Sequence, residues 1–105
     1  MKLVSYDANA IVHYTNLHSL FPDIKLGDNA RFDVMTDEGK VIANLYDMEN
    51  KKLNVGDSCA GKVSIRWVGG IEEGFVSKNS LPIIFMNEQI GFCETSNPSL
   101  TEEIS

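Results

Sequence analysis

Apolar and polar residues alternate with a period of two along several short stretches of this 105-residue chain. Ala60–Val68 (AGKVSIRWV) is the longest such run. Val63, Ile65 and Trp67 fall on one side of it, and Lys62, Ser64 and Arg66 on the other. Ala30–Met35 alternates too, opposing Ala30, Phe32 and Val34 to Arg31 and Asp33. Ala10–Tyr14, Val41–Tyr46, Leu81–Met86 and Ile90–Glu94 are rich in β-branched and aromatic residues, as strands are. Turn residues punctuate these runs at Leu26–Asn29, Asp37–Lys40, Asp47–Lys52, Gly56-Asp57 and Gly69-Gly70, and Asn87-Glu88-Gln89 reads as a tight hairpin. In Thr15–Lys25, Leu17, Leu20, Phe21 and Ile24 recur at helical spacing, which predicts at most one helical turn before Pro22.

The pattern predicts an all-β domain. A small closed or nearly closed antiparallel β-barrel of six to seven strands is expected over residues 1–95, and a flexible acidic tail over 96–105. The expected core is Ile11, Phe32, Val34, Ile42, Val63, Ile65, Trp67, Ile83, Phe85 and Ile90. Two segments, KLGDNARFDV (Lys25–Val34) and NVGDSCAGKV (Asn54–Val63), repeat an apolar-Gly-Asp step before a strand. Gly reverses the chain where a side chain would clash, and Asp bonds back to nearby amides, so this is turn chemistry used twice.

Composition narrows the partners. With 43% hydrophobic residues, the chain has material for a core. Nine Lys and Arg stand against fifteen Asp and Glu, giving a formal charge of −6. Phosphate neutralisation asks for the opposite balance, which argues against nucleic acid and anionic membranes. A protein partner, possibly a basic one, is the expectation. Cys59 and Cys93 form no CxxC or metal spacing, no apolar run reaches membrane-spanning length, and the first residues lack a secretory pattern. These features predict a cytoplasmic protein with free thiols, either a monomer or a homodimer paired through an edge strand.

The order of elements in Asn54–Thr95 resembles the C-terminal β-barrel of elongation factor Tu and related translation GTPases. The matching residues are Val55-Gly56-Asp57, Lys62–Arg66, Ile83–Phe85 and Ile90-Gly91-Phe92. The resemblance implies a six-stranded closed barrel used as a docking surface. The chain has no GxxxxGK[ST] phosphate loop, and Asn87-Glu88-Gln89 stands where that family carries an Arg- and Gly-rich turn. GTP hydrolysis is therefore not expected of this chain, and the inference of tRNA binding is weakened.

No residue set reaches a catalytic signature, and no cofactor or metal is expected. His13 and His18, near Asp7 and Asp23, fall short of a ligand set unless more donors converge, and read more plainly as one strand and one loop histidine. Cys59 reads as a small buried hydrophobe before it reads as a nucleophile. Glu72-Glu73 is a surface pair more readily than an acid–base pair. The candidate partner-binding residues are Glu72, Glu73, Phe75 and Arg66. Phe75 is the loop aromatic suited to anchoring a partner, and Arg66 lies on the polar face of its strand. Two functions fit: a non-catalytic protein-binding module, or a small acidic immunity-type inhibitor of a basic toxin or nuclease.

Overall fold

A computed structural model of the protein describes residues 2–36, 39–68 and 79–104. Its strands are β1 (Lys2–Tyr14), β2 (Leu26–Gly27), β3 (Arg31–Thr36), β4 (Gly39–Tyr46), β5 (Lys52–Leu53), β6 (Ser58–Val68), β7 (Ser80–Phe85) and β8 (Glu88–Ile104). Six of them close an antiparallel barrel in the order β1-β6-β4-β3-β7-β8, with β8 returning to β1. The separate β2–β5 ribbon lays Leu26 and Leu53 into the core. The chain is thus all-β, a closed six-stranded barrel, and the described residues include no helix.

β1 forms the spine. It starts at Lys2, eight residues before the strand expected there, and pairs with β6 on one side and β8 on the other. Its even positions, from Val4 and Tyr6 to Val12 and Tyr14, point inward and are buried. Ile11, expected in the core, is therefore outward and 46% exposed. The same parity governs β4: Ala43 and Leu45 are buried, and Ile42, also expected inside, is 63% exposed. In both strands a residue next to the largest aliphatic faces the core, because register with the neighbours sets the face. Val34, Val63, Ile65, Ile83 and Ile90 are buried as expected, and Phe32 and Phe85 pack partly buried against them. The side chain of Trp67 lies outside the described part of the structure.

Three local expectations are corrected. The acidic segment from residue 96 is strand as far as Ile104, paired with the first half of β1. Asp7 pairs with Ser99 and Asn9 with Ser96, so Asn97 and Pro98 together oppose Ala8 in a bulge. Asn97 sits there at φ 50°, and the bulge tolerates a proline that a regular ladder would reject. The β7–β8 turn is Met86-Asn87, both at positive φ (44° and 67°) and flanked by the Phe85–Glu88 pair, one residue earlier than the expected Asn87–Gln89. Finally, Thr15–Lys25 forms no helical turn. It is an irregular excursion with one hydrogen-bonded turn at Pro22-Asp23, the Ile24 amide donating to Phe21 O at 3.3 Å, and it is tied down by the Tyr14 hydroxyl donating to Ile24 O at 2.7 Å.

The two Gly-Asp steps have different causes. Gly56 lies at φ 96° in a turn closed by the Asp57 amide donating to Asn54 O, while Asp57 Oδ2 accepts from the Asn54 amide. Gly27 has no such φ. It is required because a Cβ there would lie 2.2 Å from Lys51 O on the partner ribbon strand. Asp28 accepts from the Met48 amide at 3.1 Å, fixing the loop that buries Met48.

Candidate functional site

The outer surface of β4, β3 and β7 carries the candidate site. Register places Ile42, Asp33 and Ile84 side by side across the three strands. The next row joins Arg31, Asn44 and Ser64 across β3, β4 and β6. Phe32, Ile84, Phe85 and Met86, with Asp33, Arg31 and Ile42, enclose an open groove of about 260 Å³. A second groove, of about 180 Å³, runs on from it toward Ser64 and Arg66 and shares Arg31 and Ile42 with the first. The two grooves thus adjoin, with Arg31 and Ile42 between them, and together make a furrow that is apolar at the β7 end and basic at the β6 end.

An aromatic run extends the apolar end. Phe32 meets Phe85 edge-on at 5.8 Å between ring centroids, and Phe85 stacks with Phe21 at 5.8 Å. His18 sits beneath, 5.2 Å from Phe21 and 5.6 Å from Phe85, and is 1% exposed. Its Nδ1 accepts from the Leu20 amide at 3.0 Å, and its Nε2–H donates to Met86 O at 3.2 Å. Both ring nitrogens are thereby satisfied in the neutral form, and His18 works as a polar peg joining the 16–21 excursion to the β7–β8 turn. Glu88 fastens the same excursion, accepting from the amide and hydroxyl of Ser19. Those donors hold its carboxyl below the usual carboxylate range. The peg fixes backbone while leaving side chains in water: Met86 and Ile42 in the furrow and Phe21 beside it are all exposed. Clustered exposed apolar groups of this kind mark interaction surfaces.

Arg66 lies on the outer face of β6 as expected. Its Nη1 donates to Ser64 Oγ at 2.7 Å, and its Nη2 approaches Asp7 Oδ1 at 3.5 Å. Tyr46 also donates to Asp7, and burial is the main cause that raises its phenol above the ordinary value. Arg31 donates from Nε to Asn44 Oδ1 at 3.1 Å and has no carboxylate partner among the described residues. Glu72, Glu73 and Phe75 lie outside the described residues. The furrow thus gathers Arg66 with residues the sequence reading had assigned to the core (Ile42, Phe32, Phe85) or left unassigned (Arg31, Met86).

A second constellation crosses three strands. Ser58 Oγ and His13 Nδ1 are 2.7 Å apart, and His13 Nε2 donates to Glu94 Oε1 at 2.7 Å. Phe92 stacks on the imidazole at 4.5 Å. The order Ser–His–carboxylate is that of a nucleophile relay. Here Ser58 is exposed and the Glu94 side chain is 56% exposed, so the water-excluded setting that gives such a relay its power is missing. The trio is a clip that joins β6, β1 and β8 at the barrel closure.

Cys59 and Cys93 are both buried free thiols. They flank Val12 on either side in one inward row, so two strand spacings, about 9–10 Å, separate them. That is beyond disulfide reach. Burial pushes the Cys93 thiol up to about 12. Among the described residues, no group of three or more His, Cys, Asp or Glu side chains is placed to hold a metal ion. No family model, no curated protein and no solved structure matches this chain.

Proposed function

We propose that this chain is a non-catalytic protein-binding module that engages its partner through the furrow across β7, β3, β4 and β6. The observation that carries the reading is the solvent exposure of Ile42 and Met86 in a groove also lined by Phe32 and Phe85, with exposed Phe21 stacked on Phe85 beside it. Leaving these groups in water is unfavourable for an isolated chain, and a partner that covers them recovers about 25 cal/mol per Å² of apolar surface. The closed barrel supplies a rigid platform, the use that the resemblance to the elongation factor Tu barrel implies. Two buried free thiols fit residence in the reducing cytoplasm.

A second reading has its own observation. Exposed Ile11 shares a cavity lining with Asp47 and Glu49 and stands opposite Glu94. Lys62 lines the same cavity and pairs with Asp47 at 3.5 Å, and the net acidic balance that Glu49 and Glu94 leave about the apolar residue suits an immunity-type inhibitor that covers a basic toxin or nuclease.

One experiment separates them. The tagged protein and its Ile42→Lys and Ile11→Lys variants are used to recover partners from lysate of the cells that make it, with low- and high-salt washes. The module reading expects one abundant partner lost with Ile42→Lys and kept with Ile11→Lys. Loss confined to Ile11→Lys and to high salt establishes the inhibitor reading instead. A turnover abolished by His13→Ala or Cys59→Ala overturns both.

A further inference from the structure

Resting on the module reading, we infer that the furrow recognises a protein segment that pairs a bulky apolar side chain with a carboxylate a residue or two away. The two ends of the furrow differ in chemistry. At the β7 end, the walls are Phe32, Ile84, Phe85 and Met86, which suit an aliphatic or aromatic side chain and offer no charge of their own. At the β6 end, Arg31 and Arg66 line the continuation on either side of Ile42. These are two of only nine basic residues in a chain of net charge −6, and both lie in one furrow.

Their free hydrogen-bonding capacity matters more than their number. Arg31 commits Nε to Asn44, and no described residue forms an ion pair with it or bonds its terminal nitrogens, which can meet an incoming acceptor. Arg66 uses Nη1 on Ser64 Oγ and on the carbonyl of Ile65, and its approach to Asp7 is long, at 3.5 Å, with half of its side chain exposed. Guanidinium groups bind carboxylates with paired N–H donors, and an exposed pair of this type contributes modestly. Asp33 stands between Ile42 and Ile84 on the apolar side. It repels a carboxylate placed there and so fixes the polarity of the bound segment, with its apolar side chain toward β7 and its acid toward β6. Strand spacing sets the reach. The Ile84 and Ile42 positions are two strands apart, about 10 Å; residues two apart in an extended segment have Cα atoms about 7 Å apart, and their side chains cover the remainder.

The test uses two acetylated, amidated peptides, Gly-Phe-Gly-Glu-Gly and Gly-Phe-Gly-Gln-Gly, titrated into the isotopically labelled full chain and followed by amide chemical shifts. The expected result is saturable shifts confined to β3, β4, β7 and the Ser64–Arg66 part of β6 with the Glu peptide, with affinity about three- to tenfold above that of the Gln peptide. Arg31→Gln and Arg66→Gln, both on the outer face, each bring the Glu-peptide affinity down to that of the Gln peptide measured on the same variant, and the spectrum of each free variant reports whether it has folded. Equal affinity for the two peptides overturns the carboxylate inference and leaves the module reading standing. No furrow shifts with either peptide overturns this inference too, and partner loss with Ile42→Lys still decides the module reading separately. Furrow shifts produced by raising the protein concentration alone identify a second copy as the occupant and overturn the proposal.

Discussion

The inward face of β1 is tested by two matched substitutions, Ile11→Thr and Val12→Thr. Val12 is fully buried between Cys59 and Cys93, and Ile11 beside it is 46% exposed. Valine and threonine share a shape, so Val12→Thr leaves no cavity and changes only one methyl to a hydroxyl. Its inward neighbours in the row are two thiols, poor acceptors, so the hydroxyl loses water without gaining a good partner. That desolvation costs about 1–3 kcal/mol in proteins. Ile11→Thr keeps the β-branch and replaces the ethyl arm with a hydroxyl that water can reach at a half-exposed site, for about 0.8 kcal/mol or less. In a domain of this size, 1 kcal/mol moves the midpoint by about 4–8 °C. Thermal unfolding followed by circular dichroism should therefore show a drop of about 10 °C for Val12→Thr and about 5 °C or less for Ile11→Thr. Urea midpoints with unchanged slopes check that the variants share one denatured state. A larger loss for Ile11→Thr would mean that β1 lies one residue out of this register, and with it every inward position from Val4 to Tyr14.

Gly27→Ala should destabilise the protein by about 1–3 kcal/mol because its Cβ must displace the Lys51 carbonyl, and Gly56→Ala by about 1–2 kcal/mol through its φ of 96° with open space around it; urea unfolding of the two measures both. Cys93 should resist alkylation by iodoacetamide at pH 8 in the native state and react on unfolding. With its thiol pushed up to about 12 from an ordinary 9.0, its thiolate is about a thousandfold scarcer than that of a free cysteine, and native labelling at the free-thiol rate refutes the burial. Because that value lies above the unfolded one, the associated stability is complete below about pH 9 and is lost as pH rises toward 12. Glu88 has the opposite sign. Its carboxyl is held low by Ser19, so its contribution is present above about pH 4.5 and fades as pH falls through the lowered value. The Ser19 amide resonance should titrate in that acid range and lose the titration in Glu88→Gln; an unchanged titration in the variant contradicts the pairing.

Alternation and turn chemistry made the barrel legible. Val63 and Ile65 on β6, Val34 on β3 and Ile83 and Ile90 on the last hairpin were all readable as inward from local pattern. The failures fall where local pattern has two solutions. In β1 and β4 apolar residues occupy both faces, so Ile11 and Ile42 outbid Ala10, Val12 and Ala43 by size alone. Only pairing with β6 resolves the face, and pairing is non-local. The strand after residue 96 was hidden by Asn97-Pro98, a dipeptide that reads as a turn and serves here as a bulge in a strand already bound to β1. His18 was hidden differently: its burial rests on acceptors and donors from Leu20 and Met86, which the spacing of His13 and His18 does not encode. Arg66 was legible as the outward residue of an alternating strand, but the furrow around it was not, because it needs Ile42 outside.

That one parity also explains why the candidate site lies where it does. β3 and β7 pair, among the described residues, only through Asp33 with Ile84 and Val34 with Ile83, whereas β1 and β8 pair along nearly the whole of β1. The furrow straddles this shortest seam, with Phe32, Ile42 and Arg31 on one bank and Ile84, Phe85 and Met86 on the other. At a long seam, backbone ladders hold the strands and the outer face is free to be polar. At a short one, side chains across the joint must supply part of the cohesion, and apolar groups on the outer face do so only imperfectly while water wets them. A segment laid across the seam completes that packing and bridges both banks. Binding and barrel closure then draw on the same contacts, so an occupant present at a hundred times its dissociation constant adds about 2.7 kcal/mol to the closed state. The exposed isoleucine expected in the core thus stands outside, one strand from the shortest barrel seam among the described residues, and on the proposed module reading it belongs to the surface that a bound segment covers.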